Sequence, residues 1–177
     1  VAVHTTPLAS IPEFGQYKTV VILMSDLDAL GKRLTDLMNW VQDGGSVLFA
    51  MTPDKTTYFD AISPKLGVQS SSWEYKTAES IVPTEEFMLG GGQRYEFSDP
   101  FESSLSVSLR EEATVYARTG DEGIPLVWGT KSGSGRVVVD NIGIYDKVLR
   151  GIYAASYSLL CDAAAYPVIN SAVFYLD

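Results

Sequence analysis

Residues 17–24, YKTVVILM, form an almost unbroken apolar run rich in β-branched side chains. A run of this kind reads as a strand buried on both faces, as in a parallel sheet. The period then changes. Leu27, Leu30, Leu34, Leu37, Met38 and Val41 recur at helical spacing, which predicts a helix with one apolar stripe turned toward a sheet. Ser25 and Asp26 offer N-cap oxygens at its start. Gly44-Gly45 ends it, because glycine takes the left-handed conformation beyond a helix terminus without steric cost. SVLFAM (46–51) is the next buried strand and completes a β-α-β unit, whose crossover should be right-handed.

Residues 56–67 predict a short helix disturbed near its end by Pro64. From 68 to 123 the pattern alternates, as in SLSVSL (104–109) and TVYAR (114–118), with loop-rich stretches between. Short strands, some antiparallel, are expected there. IPLVWGT (124–130) and GRVVVDNIG (135–143) flank SGSG (132–135) as the arms of a hairpin would. Residues 144–164 return to helical spacing, with Val148, Ile152, Ala155 and Leu159 on one face. Pro167 stops that helix, and VINSAVFYL (168–176) reads as a last strand. The class is α/β: a three-layer, mainly parallel flavodoxin-like sheet with an antiparallel extension. Residues 1–166 are expected to form one domain. Residues 167–177 would open a following, truncated one, and the abrupt ends suggest a segment of a longer protein.

Composition narrows the functions. The chain has 177 residues, 46% hydrophobic, so a sizeable core is expected. The 22 acidic against 13 basic residues leave a net charge of −9, which opposes nucleic-acid binding because phosphates need a basic face. No apolar run reaches the roughly 18 residues of a membrane-spanning helix. A single cysteine, Cys161, excludes an internal disulfide and a cysteine zinc cage, and a single histidine, His4, excludes multi-histidine metal sites. No cofactor is implied.

The chemistry-bearing patterns are weak. SGSG lacks the lysine of a phosphate loop and leads into a strand rather than a helix, so it reads as a turn. GGG (90–92) reads as a surface loop. Cys161 sits late in a helix with no base beside it in sequence, which favours a packed thiol. No G-x-S-x-G elbow exists for His4 to serve. The adjacent pairs Glu85-Glu86, Glu111-Glu112 and Asp121-Glu122 read as solvated loop residues. Open α/β sheets bind ligands beyond the C-terminal ends of their strands. Here those positions hold Asp26, Thr52, Asp54, Asn141 and Tyr145, the ligand-binding candidates; the plainer reading makes them caps and turn formers. Trp73, Tyr75, Tyr95, Phe97 and Phe101 offer rings that stack on sugars or pack a small local core.

Three stretches, YKTVVILMSD, LMNWVQDGGSVLFAM and LVWGTKSGSGRVVVDNIG, resemble class I glutamine amidotransferase-like domains, including the trimerisation domains of β-galactosidases. The resemblance covers residues 17–143. The family's nucleophilic cysteine elbow and later His-Glu pair are missing, so the resemblance implies a non-catalytic member. LCDAAAYPVINSAVFYLD is similar to the junction in an uncharacterised bacterial family that joins such a domain to a polysaccharide-deacetylase-like region. That resemblance implies Asp177 as the first aspartate of a metal-binding strand, with no complete metal site in this chain. The expectation is therefore an accessory domain of a larger, extracytoplasmic or cell-surface, carbohydrate-modifying protein. Its partners would be a glycan or small ligand and the adjacent domain of the same parent chain. A hydrolase using Asp26 and Asp54, and an oligomerisation domain, are the alternatives.

Overall fold

A computed structural model describes residues 3–120, 122–144, 146 and 149–161. The candidates Tyr145 and Asp177, and the expected strand 168–176, lie outside these residues. Seven strands form one sheet in the order β1-β2-β7-β6-β5-β3-β4. They are β1 (Thr19–Ile22), β2 (Ser46–Phe49), β3 (Val68–Pro83), β4 (Tyr95–Leu109), β5 (Thr114–Arg118), β6 (Pro125–Ser132) and β7 (Gly135–Asp140). β1, β2 and β7 run parallel. From β7 outward, every further pairing is antiparallel. The α/β class, the parallel core and the antiparallel extension are those the patterning predicts.

Alternation along the central strands sorts the core into two layers. Val47, Phe49, Val137 and Val139 face one side and pack with Leu34, Leu37, Met38 and Val41 of helix α1 (Lys32–Gln42). Phe59 and Ile62 of helix α2 (Thr57–Ile62) join the same layer. Leu48, Ala50 and Val138 face the other side, where Ile152 of helix α3 (Arg150–Ser158) packs beside Leu126 and Ile142. The sheet is thus covered on both faces, and this explains why its central strands are apolar throughout. Trp128 is the largest fully buried side chain, and its indole N–H donates to the Leu66 carbonyl at 2.8 Å.

Two local departures from the expected pattern have clear causes. The helix predicted from Leu27 starts only at Lys32, because Gly31 takes a φ of 50° and separates a 3-10 turn (Asp28–Leu30) from α1. Asp26 therefore caps the turn, accepting from the Ala29 N–H at 3.3 Å, and not the helix. The short strands expected between 68 and 109 are instead two long strands, β3 and β4, joined into a ribbon interrupted by bulges. Irregular register blurs the alternation from which strand length is read.

The SGSG stretch is a two-residue hairpin turn, with Ser132 paired to Gly135 and Gly133 at a φ of 63°. Its glycines also serve a contact with α1. The Ser134 N–H donates to the Gln42 carbonyl at 3.0 Å, and the Arg136 N–H donates to the Gly45 carbonyl at 3.2 Å. A Cβ on Gly135 would lie 2.0 Å from the Val41 carbonyl oxygen. The turn caps the end of a helix by backbone contact, which only glycine permits at that distance.

Candidate functional site

The C-terminal ends of β1, β2 and β7 lie side by side, as the parallel register requires. The loops beyond them are tied together by backbone hydrogen bonds. The Asp54 N–H donates to the Ser25 carbonyl at 3.0 Å, and the Thr52 N–H donates to the Ile142 carbonyl at 3.3 Å. Asp26, Thr52, Asp54 and Asn141 are thus all drawn to one edge of the sheet, but their environments differ.

Asn141 is fully buried. Its side-chain oxygen accepts from the Leu105 N–H at 2.8 Å, and its amide nitrogen donates to the Leu105 and Pro125 carbonyls at 2.9 Å each. The side chain acts as a short strand partner for β4 and holds the ribbon to the end of β7. The Ser104 hydroxyl donates to the Asn141 carbonyl at 3.1 Å and strengthens the same junction. Thr52 is also buried, and its hydroxyl has no partner among the described residues.

Beside Asn141, Asp140 is buried with one carboxyl oxygen accepting from the Ser156 hydroxyl of α3 at 2.6 Å. Its other oxygen has no partner among the described residues. Burial pushes this carboxyl up to about 7, against a smaller opposing effect of the Ser156 hydrogen bond. In the sequence Asp140 is simply the residue before Asn141 at the end of GRVVVDNIG. Its partner lies on a helix 16 residues away, and no local pattern announces such a contact.

The open part of the edge is acidic. Asp26 and Asp28 are exposed and Asp54 is half-buried. Asp28 accepts from the Thr56 hydroxyl at 2.6 Å, which fixes the loop leading to α2. Desolvation, followed by the nearby charges of Asp26 and Asp28, raises the Asp54 carboxyl above the usual carboxylate range. Among the described residues, no three His, Cys, Asp or Glu side chains are placed to hold a metal ion.

Next to the acidic patch stands an aromatic one. The Lys55 N–H donates to the Tyr75 hydroxyl at 3.0 Å, joining this edge to strand β3. The Lys55 ammonium pairs with Asp60 and lies 5.8 Å from the Phe59 ring centroid and 5.2 Å from that of Trp73. Trp73 nonetheless remains 71% exposed and Tyr75 40% exposed. The other three aromatic candidates do not share this setting. Phe101 is buried against Phe97 at 5.3 Å, and the Tyr95 hydroxyl donates to the Gly90 carbonyl at 2.8 Å. The sequence offered five aromatics on equal terms, and the ribbon's facing separates them.

The remaining candidates take structural positions. Cys161 is half-buried three residues beyond α3, not within the helix as its spacing predicts, while His4 packs edge-on against Tyr17 at 6.1 Å. The GGG loop folds back on the end of β3, where a Cβ on Gly91 would lie 2.1 Å from the Thr84 carbonyl oxygen. Among the described residues, no helix is long and apolar enough to cross a membrane.

The combination of a parallel core, an antiparallel ribbon and this strand-end edge defines an α/β domain seen in several larger proteins. The chain belongs to a bacterial family described as "Uncharacterised protein conserved in bacteria (DUF2194)", whose model matches residues 2–116 and 98–177. Among solved structures, it is similar to an exo-β-1,4-mannosidase from Opitutaceae bacterium strain TAV5, at 21% identity and a TM-score of 0.52. That match covers 85% of this chain and 26% of the mannosidase. A β-galactosidase from Rahnella sp. R3 matches at 19% identity and a TM-score of 0.57, over 84% of this chain and 23% of its own. A protein described as cytoplasmic from Salmonella typhimurium LT2 matches at 14% identity and a TM-score of 0.59, over 86% of this chain and 74% of its own. At these identities the likeness is one of fold, and the chain spans about a quarter of each glycosidase. No curated protein matches the sequence.

Proposed function

We propose that the chain is a non-catalytic accessory domain of a larger bacterial carbohydrate-modifying protein, holding a glycan or small ligand or bracing a neighbouring domain. The observation that carries this reading is the burial of the central strand-end groups Thr52, Asp140 and Asn141, which leaves the carboxylates Asp26, Asp28 and Asp54 open at that edge. Catalytic sites in open α/β sheets need free polar groups in a crevice there. In this chain the Asn141 amide is occupied by β4 and β6, and Asp140 and Thr52 are sealed from solvent. The mannosidase and β-galactosidase carry the matching fold as about a quarter of their length, a setting that agrees with an accessory role.

The finer assignment is an amidotransferase-like domain that has lost its nucleophile, placed before a polysaccharide-deacetylase-like region in an extracytoplasmic parent. Cys161 just beyond a helix, with His4 edge-on against Tyr17, agrees with the lost nucleophile. Comparing the parent protein with and without this domain tests the role. Unchanged saccharide binding and turnover after deletion would overturn it.

The raised carboxyl of Asp54 favours a second reading, a hydrolase with Asp54 as general acid and Asp26 as its charged neighbour. A panel of glycosides and esters separates the two. The accessory reading expects no turnover by the purified chain, and turnover abolished by Asp54→Asn would replace it with the hydrolase.

A further inference from the structure

We propose that the outward face of β3, from Trp73 through Tyr75 and Thr77 to Glu79, binds an oligosaccharide together with the cleft beside it. The proposal rests on the carbohydrate reading above and names the site and ligand class that reading leaves open. Tyr75, Thr77 and Glu79 alternate with the buried Ala78 and Ser80, which turns all three outward, and Trp73, in the bulge between Ser71 and Tyr75, is exposed beside them. Tyr75, Thr77 and Glu79 also line an open cleft of about 300 Å³, together with Lys76, Thr119 and Glu122. At about 3.3 Å per residue, the row from Trp73 to Glu79 is at most about 20 Å long. That length suits a short oligosaccharide better than a single sugar.

The chemistry of the strip points to the same class. Its aromatic end is held in place: the Lys55 backbone anchors the Tyr75 hydroxyl, and the Lys55 ammonium lies against the Trp73 ring. A tryptophan left 71% exposed on a fixed strand gains little from burial, and its face is available to the C–H surface of a pyranose ring. The cleft end presents two threonines, two carboxylates and an ammonium, with the Tyr75 ring as its aromatic surface. Such a lining does not suit an apolar ligand. Glu79 and Glu122, with the Lys76 ammonium already paired to Glu74 at 3.3 Å, also disfavour phosphates and anionic glycans. A neutral polyol supplies hydroxyl donors for the carboxylates and acceptors for the ammonium without placing like charges together.

Isothermal titration calorimetry and amide chemical-shift mapping with mannohexaose, cellohexaose and N-acetylchitohexaose test the proposal, with a hexagalacturonate as the anionic probe. At least one neutral hexaose is expected to bind, shifting amides of 73–79 and Thr119. Trp73→Ala should weaken it about tenfold or more, and Glu79→Gln about threefold. Tyr58→Ala, an exposed aromatic on α2, should leave the affinity unchanged. The proposal fails if no neutral hexaose shifts 73–79, if Trp73→Ala binds as the wild type, or if the hexagalacturonate binds best. Saccharide binding mapped to another face removes the strip and leaves the accessory role standing. A parent protein indifferent to deletion of the whole domain removes that role, whatever the strip binds.

Discussion

Asp140 couples the stability of this fold to pH, and the direction follows from its surroundings. Its carboxyl is raised from an ordinary 3.8 to about 7 in the folded protein, chiefly by burial. The folded state therefore holds a proton that the unfolded chain releases, so stability falls as pH rises between these two values. The span of about 3 pH units corresponds to about 4 kcal/mol in all. About 2 kcal/mol of this is lost between pH 5.5 and the plateau above pH 7. Replacing Asp140 by Asn keeps an oxygen to accept from Ser156 but places an amide N–H where the other carboxyl oxygen lies, with no partner among the described residues. That costs about 1–3 kcal/mol at every pH. Whatever its deficit at pH 5.5, the variant should gain about 2 kcal/mol on wild type by pH 8. Urea unfolding of both proteins at matched pH values isolates the effect, because every other group cancels in the difference. A stability difference that stays flat from pH 5.5 to 8 would refute a protonated, buried Asp140.

Three further outcomes follow from the geometry. Gly135→Ala should destabilise by roughly 3 kcal/mol or more, since its Cβ would meet the Val41 and Gly45 carbonyl oxygens at 2.0 and 2.2 Å; thermal melting reads this directly. Asn141→Ala leaves the Leu105 N–H and two carbonyls without partners and should cost about 2–4 kcal/mol in urea unfolding. Hydrogen exchange in that variant should quicken first at 104–105, where β4 is held. Acrylamide should quench Trp73 fluorescence before that of half-buried Trp40 and well before Trp128, which is 1% exposed, so Trp73→Phe removes the most readily quenched component.

Much of the fold is legible in local pattern. The apolar runs at 17–24 and 46–51, the stripe from Leu34 to Val41 and the paired arms around SGSG predict the elements found, because each records the period of its own backbone. Cysteine and histidine counts likewise exclude several chemistries without any structure. Strand-end placement, a property of parallel sheets in general, was enough to bring Asp26, Thr52, Asp54 and Asn141 to one edge.

What the pattern does not contain is which of those polar groups remain free. Asn141 and Asp54 look alike in sequence, as polar residues just past apolar strands. Asn141 is consumed because the ribbon brings Leu105 against it from 36 residues away, while Asp54 stays half-open beside two other carboxylates. The same ribbon turns Trp73 outward and buries Phe101. Composition and periodicity thus determine the layers of this protein, since helices and strands bury faces set by nearest neighbours. Free carboxylates, exposed rings and a buried acid near neutrality depend on contacts between residues distant in the chain, and only the tertiary structure decides those.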